Sequence, residues 1–221
     1  MNVLPYNLHR VAEVLLGRLR EAVAGRGRAA LAIPGGRSPG PVLGVLAGLL
    51  PEAVRRHLYL FWVDERAVPP GHRDRNDAAA LAAWEEGGPL PAYIRPMPAG
   101  DGDLERAAAD YAGTLQRATG GRPLDACLLG VGEDGHIASL FPDHPALERE
   151  GPVVAVYDSP KPPPRRLTLS LPVIGRAALR VVLAPGEKKG AVRRRAAAGP
   201  DPSLPVSLLP PENTVWFVDQ P

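Results

Sequence analysis

The chain has 221 residues, 45% of them hydrophobic, one cysteine, and a net charge of +2 with acids and bases mixed along most of its length. That supports a core for one α/β domain, is too balanced to argue for nucleic-acid or membrane binding, and excludes an intrachain disulfide. No apolar run approaches the roughly 20 residues that span a bilayer, and MNVLPYNLHR lacks a signal-peptide pattern, so a cytoplasmic protein is expected.

Residues 7–24 place Leu8, Val11, Leu15, Leu19 and Val23 on one stripe, which predicts an amphipathic helix closed by Gly25. Residues 28–33 read as a short strand, followed by the turn Pro34-Gly35-Gly36-Arg37-Ser38-Pro39 and a helix through Leu50. Residues 58–63 are a second strand, running into Asp64-Glu65-Arg66. Residues 76–86 read as a helix, and the proline- and glycine-rich residues 87–102 as a segment wrapping the surface. A further helix is predicted over 104–119, capped by Asp103 or Asp101.

Residues 124–129 lack polar alternation and are bounded by glycine, as in a central strand covered on both faces. Cys127 lies inside it. Residues 153–156, 167–171, 179–183 and 215–218 are also strand-like, with a helix over 189–198 starting just past Gly186. The alternation predicts an α/β, Rossmann-like, mainly parallel sheet with helices on both faces, in a single domain spanning 1–221.

Chemistry-bearing residues fall at strand ends, where loop amides and helix N-termini converge in parallel sheets. After the 124–129 strand come Gly130, Gly132, Asp134, Gly135, His136 and Ser139. Glycines there permit positive φ or close approach to the backbone. A histidine can take or give a proton near neutral pH. Gly35, Gly36 and Ser38 have two readings of equal weight, a phosphate cradle at a helix N-terminus and a tight turn. Asp64 can accept hydrogen bonds from sugar hydroxyls, and Arg66 can offer a planar fork to an anion. Surface ion pairing is the favoured reading of Glu65. Of only three lysines, Lys188 and Lys189 open a helix, where cations oppose the dipole unless an anion is near.

The string GVGEDGHIASLFP resembles the signature of the 6-phosphogluconolactonases, a branch of a family that also contains the glucosamine-6-phosphate deaminases. In the deaminases the DGH segment leads to a glutamate that assists ring opening, whereas this chain has Phe141 there, which favours the lactonase branch. The resemblance extends to a Gly-Gly-Ser-x-Pro loop, with Arg37 in the usual serine's place, and to a strand ending Asp-Glu-Arg followed by Val68-Pro69 and Asn76. Arg75 stands where the family usually has serine, which leaves the local loop contacts open. Pro-Pro-x-Arg-x-Thr-Leu-Ser and Gly-x-x-Lys map onto Arg166 and onto Gly186 and Lys189.

That resemblance implies hydrolysis of 6-phospho-D-glucono-1,5-lactone to 6-phospho-D-gluconate in the pentose phosphate pathway. His136 is the implied general base on water and Asp134 its orienting partner, with amides around Gly132 and Gly135 stabilising the oxyanion. Arg166 and Lys189 would meet the phosphate, with Lys188 facing solvent. Ser139 is assigned to hydrogen bonding near the loop, since ASLFP is not a nucleophile elbow. Substrate contacts are also expected from Gly35, Gly36, Arg37, Ser38, Asp64, Arg66 and Asn76. No cofactor is expected. No metal is expected either, because His9, His57, His72, His136 and His144 show no compact ligand spacing. The expected partner is the lactone alone, with no nucleic acid or membrane, and the expected state a monomer or weak homo-oligomer. The rivals are a deaminase, a ribose-5-phosphate isomerase, whose motifs are missing, and a non-catalytic sugar-phosphate sensor. Such sensors carry a DNA-binding helix-turn-helix ahead of this architecture, while only one helix precedes the first loop here.

Overall fold

A computed structural model describes residues 2–36, 38–100 and 102–219. The seven strands of its main sheet run in the spatial order β1 (Asn2–Pro5), β10 (Thr214–Val218), β9 (Arg180–Ala184), β6 (Ala126–Gly130), β2 (Ala29–Ile33), β3 (Leu58–Trp62) and β5 (Tyr93–Arg95). Every neighbouring pair is parallel. Each residue of β2, β9 and β10 is buried, so neither face of these strands meets water, as apolar runs without alternation require. The expected Rossmann-like sheet is therefore present. Two of its edge pieces were not legible: β1, which precedes the first helix, and β5, which lies in the segment expected to wrap the surface. Met97 and Ala99 of that segment are buried.

The first helix, α1 (Leu8–Arg26), is capped by the Asn7 side chain, which accepts from Arg10 N at 3.0 Å. It ends at Gly27, whose φ of 72° suits a residue without Cβ, rather than at Gly25. Next come α2 (Pro39–Leu49), the single turn α3 (Glu52–Arg55) and α4 (Asn76–Gly87). The α2 and α4 helices touch backbone to backbone, since a Cβ on Gly87 would collide with the Gly44 carbonyl. That contact lies at the end of α4, and its start is placed beside the loop after β2, where a Cβ on Gly35 would meet Asn76. Of the two candidate caps for α5 (Leu104–Thr119), Asp103 accepts from Glu105 N and Arg106 N at 3.0 and 3.1 Å. Asp101 lies outside the described residues.

A second sheet, antiparallel and unexpected from the sequence, orders β4 (Asp64–Arg66), β8 (Arg166–Leu169) and β7 (Val153–Val156). The chain leaves β3 through Val63, whose carbonyl accepts from Leu169 N at 2.7 Å, and turns directly into β4. In this register Asp64 lies opposite Thr168 and Arg66 opposite Arg166. The strand expected over 167–171 stops at Leu169, and Ser170 then precedes the short helix α6 (Leu171–Arg176), with a proline in its first turn. The last helix, α7 (Glu187–Ala196), starts two residues before the expected 189.

Glu65 corrects the surface ion-pair reading. It is fully buried, and its carboxyl accepts from Arg66 N (2.8 Å), Asn76 N (2.7 Å) and Asp77 N (2.9 Å), which caps α4 from a different strand. Burial pushes the Glu65 carboxyl up to about 7, against the pull of those three amides and of Arg75. Arg75, the departure from the family pattern, is the clamp of this loop. It forks onto Asp77 and reaches the carbonyls of Val68 and Met97. An amide in place of the Glu65 carboxylate turns one acceptor into a donor facing N–H groups, so Glu65→Gln costs about 2 kcal/mol of stability, read from denaturant unfolding.

Candidate active site

The strand order reverses direction between β6 and β2: after β2 the chain goes to β3 on one side, and from β6 onward it builds the other side. This is the switch point at which open parallel sheets leave a crevice beyond the strand ends. A cleft of about 300 Å³ occupies it, at the small end of the range of roughly 300–1,000 Å³ for small-ligand sites. Its walls come from the loop after β2 (Gly35, Gly36, Ser38), from Asp64 and Arg66 of β4, and from Asn76, which opens α4. They also come from the loop after β6 (Gly132, Glu133, His136), from Arg166 of β8 and from Lys189 of α7. Residues scattered over the sequence therefore meet in one place. Arg37 lies outside the described residues, and Gly135 and Ser139 are not on the cleft wall.

His136 is held from one side. Its Nδ1 lies 2.5 Å from Asp134 Oδ1; a carboxylate only accepts, so Nδ1 carries the hydrogen, and in the neutral ring Nε2 keeps the lone pair. The ring stacks on Phe141 with centroids 4.7 Å apart and planes at 27°. Asp134 Oδ2 pairs with the ammonium of Lys161, whose Nζ lies at 2.8 Å. Burial by itself would raise the Asp134 pKa. The hydrogen bonds and charges of His136 and Lys161 outweigh it and hold the carboxyl well below the usual carboxylate range. The anionic form of Asp134 is thereby favoured, which is the form that accepts from both neighbours.

Gly132 and Gly135 serve different ends from the expected oxyanion donors. Gly132 N donates to His136 O at 2.9 Å and Gly135 N to Gly132 O at 3.0 Å, so both amides are spent on closing their own loop. Gly135 has a φ of 86°, the left-handed conformation. Gly132 is needed for space: a Cβ there would overlap His136 Nδ1 and Asp134 Oδ1.

Behind the cleft wall, Ser139 is fully buried and its Oγ donates to Asp64 Oδ2 at 2.7 Å. Asn76 Nδ2 donates to Asp64 O at 3.0 Å and lies 3.2 Å from Asp64 Oδ1. Gly35 is the residue that lets Asn76 approach, since a Cβ there would strike its amide. Arg66 Nη1 donates to Asp74 O at 2.9 Å, while its buried Nε has no partner among the described residues. Arg166 is buried, and its fork is largely committed within the protein. Nε donates to Pro163 O (3.0 Å), Nη2 to Lys161 O (2.8 Å) and Pro162 O (3.1 Å), and Nη1 to Ser139 Oγ (3.4 Å). Of the lysine pair, Lys189 lines the cleft and Lys188 Nζ pairs with Glu133 at 3.1 Å, which ties α7 to the loop after β6.

Among the described residues, no group of three or more histidine, cysteine, aspartate or glutamate side chains could hold a metal ion. No helix of the described residues is long and apolar enough to cross a membrane. Two participants escaped the sequence reading, Lys161 and the Phe141 platform. Lys161 is one of three lysines and sits in the Lys-Pro-Pro-Pro-Arg string, a signal that was visible but was spent on Arg166 alone.

The sequence model for glucosamine-6-phosphate isomerases and 6-phosphogluconolactonase matches residues 7–217. The chain belongs to this family. Among the family's curated members, the 6-phosphogluconolactonase of Mycobacterium tuberculosis is 40% identical over 218 residues, covering 93% of this chain and 88% of that protein. The 6-phosphogluconolactonase of Streptomyces coelicolor is 42% identical, with 84% and 76% covered. The crystal structure of 6-phosphogluconolactonase from Thermotoga maritima shares the fold with a TM-score of 0.86, at 23% identity over 98% of this chain and 97% of that one. Phe141, the residue expected to separate this chain from the deaminases, is buried and stacks under His136.

Proposed function

We propose that the chain hydrolyses 6-phospho-D-glucono-1,5-lactone to 6-phospho-D-gluconate, a step of the pentose phosphate pathway, with His136 as the general base. The observation that carries this reading is the common cleft: an imidazole held at Nδ1 by Asp134 lines the same space of about 300 Å³ as Arg66, Arg166 and Lys189. An electrophilic ester carbon and a phosphate group on one small sugar suit such a cleft.

In the proposed reaction, His136 Nε2 takes a proton from a water as its oxygen bonds to C1 of the lactone. The carbonyl oxygen becomes an oxyanion in the field of the cationic rim. As the intermediate collapses, the bond between C1 and the ring oxygen breaks, and Nε2 returns its proton to that oxygen. The acid formed then ionises, releasing one proton per turnover. Asp134 holds Nδ1–H throughout, and Asp64, steered by Ser139 and Asn76, faces the sugar hydroxyls. Lys189 and the amides at Gly36 and Ser38 receive the phosphate, with Arg66 as the second cation. Arg166 acts chiefly by holding the 161–163 carbonyls and Ser139. The protein acts as a cytoplasmic single domain, a monomer or weak homo-oligomer, with the lactone as its only required partner.

Acid release from freshly generated lactone, measured above the spontaneous background, tests the reading, with glucosamine 6-phosphate as control. Acceleration of the first without ammonia from the second is expected; ammonia release would restore the deaminase. Within the same assay, Lys189→Met raises KM about tenfold or more while kcat changes little, because a point charge on a dianion is lost. An unchanged KM would place the phosphate elsewhere.

A further inference from the structure

Lys161 sits where neither the proton transfer nor the phosphate requires it. Its Nζ is 2.8 Å from Asp134 Oδ2 and 3.1 Å from His136 Nδ1, and it stands 5.9 Å from the centre of the Phe141 ring that carries the imidazole. An ammonium and an Nδ1–H are both donors, so no hydrogen bond joins them. They tolerate each other because they share one carboxylate, Oδ1 to the imidazole and Oδ2 to the ammonium.

Nor is this a loose surface pair. Lys161 O accepts from the buried Arg166 Nη2 at 2.8 Å and from Ser159 Oγ at 2.9 Å, while Pro162 O and Pro163 O take Arg166 Nη2 and Nε. Ser159 N closes the loop onto Pro164 O at 3.0 Å. A buried guanidinium thus fixes the backbone that presents the ammonium, so most of the ordering cost that makes exposed pairs weak is met by the fold.

Asp134 alone would stabilise a protonated His136 and make it slow to give its proton back. An ammonium at 3.1 Å acts in the opposite sense. We propose that Lys161 is a positioning residue that balances the charge of Asp134, so that His136 releases to the leaving oxygen the proton it took from water. This rests on His136 being the base. Among the described residues, the other titratable or charged groups around the imidazole are Glu133 with its partner Lys188, Asp64, Arg66 and Arg166 across the cleft, Lys189 of α7, and His144 behind Phe141. Lys161 is held on the carboxylate oxygen that the imidazole leaves open.

The test is the pH dependence of kcat/KM in Lys161→Met, Lys161→Gln and Lys161→Arg, beside the titration of the His136 ring by NMR in labelled protein. Removing the ammonium moves the acid limb, and the ring's titration with it, upward by about one pH unit, whereas arginine keeps both near wild type. A merely structural lysine would lower the rate by one factor at all pH values and leave the limb in place; that result in both neutral variants overturns the proposal. His136→Gln is run alongside. If it keeps the wild-type limb and rate, the base has been misassigned, and the NMR titration still decides whether Lys161 acts on the ring.

Discussion

Replacing His136 by glutamine lowers kcat/KM for lactone hydrolysis by about a thousand-fold, the middle of the range for a lost general acid–base. Glutamine keeps a polar side chain over the Phe141 ring and can still donate to Asp134, but offers no nitrogen that cycles a proton. The loss falls on kcat, since the cleft walls from Asp64, Arg66 and Lys189 are untouched. Stability changes little, because the imidazole is one-fifth exposed and packs on a single ring. Steady-state kinetics of acid release, with the background subtracted, checks this. A variant within a few-fold of wild type would show that some other group activates the water.

Gly132→Ala lowers kcat/KM by about a hundred-fold, through geometry alone. The added methyl overlaps His136 Nδ1 and Asp134 Oδ1, so the two side chains cannot keep their 2.5 Å contact and the free nitrogen shifts away from the carbon it serves. The clash is with side-chain ends, which swing aside, so folding survives while alignment does not. Gly17→Ala is the matched control, since a Cβ on that residue of α1 meets nothing within 4 Å. It keeps full activity and gains slightly in stability, as alanine does over glycine inside a helix. Equal activity in Gly132→Ala and Gly17→Ala would mean that the Asp134–His136 contact does not govern the reaction.

Strands β2, β3, β6 and β9 were legible because each is a short apolar run ended by glycine, proline or an acid, and that ending put Gly35, Asp64 and His136 at strand termini. β1 was not, because Asn2–Pro5 is half exposed and gains its strand character only from β10 at the far end of the chain. The β4–β8–β7 ribbon was hidden for another reason. Phe61 to Arg66 reads as one continuous strand, and nothing local marks Val63 as the bend where the chain changes sheets. Glu65 was misjudged on the same ground: its acceptors' partners are the amides of Asn76 and Asp77, which spacing along the chain cannot reveal.

The dyad Asp134–His136 was visible because both members lie within one loop. Lys161, the third member, arrives from 25 residues away on a loop held by Arg166, a long-range contact with no periodic signature. The amides around Gly132 and Gly135 were assigned to the oxyanion along with the implied mechanism, and the loop's own hydrogen bonds use the amides of those two residues. In each case residue type was informative and the direction of a hydrogen bond was not.

A crystal structure with bound 6-phospho-D-gluconate decides whether His136 serves the ester carbon. The product carboxylate is expected within hydrogen-bond distance of His136 Nε2 and the phosphate on Lys189 and the Gly35–Gly36 loop. A product bound the other way round, or with its carboxylate beyond reach of His136, would contradict it.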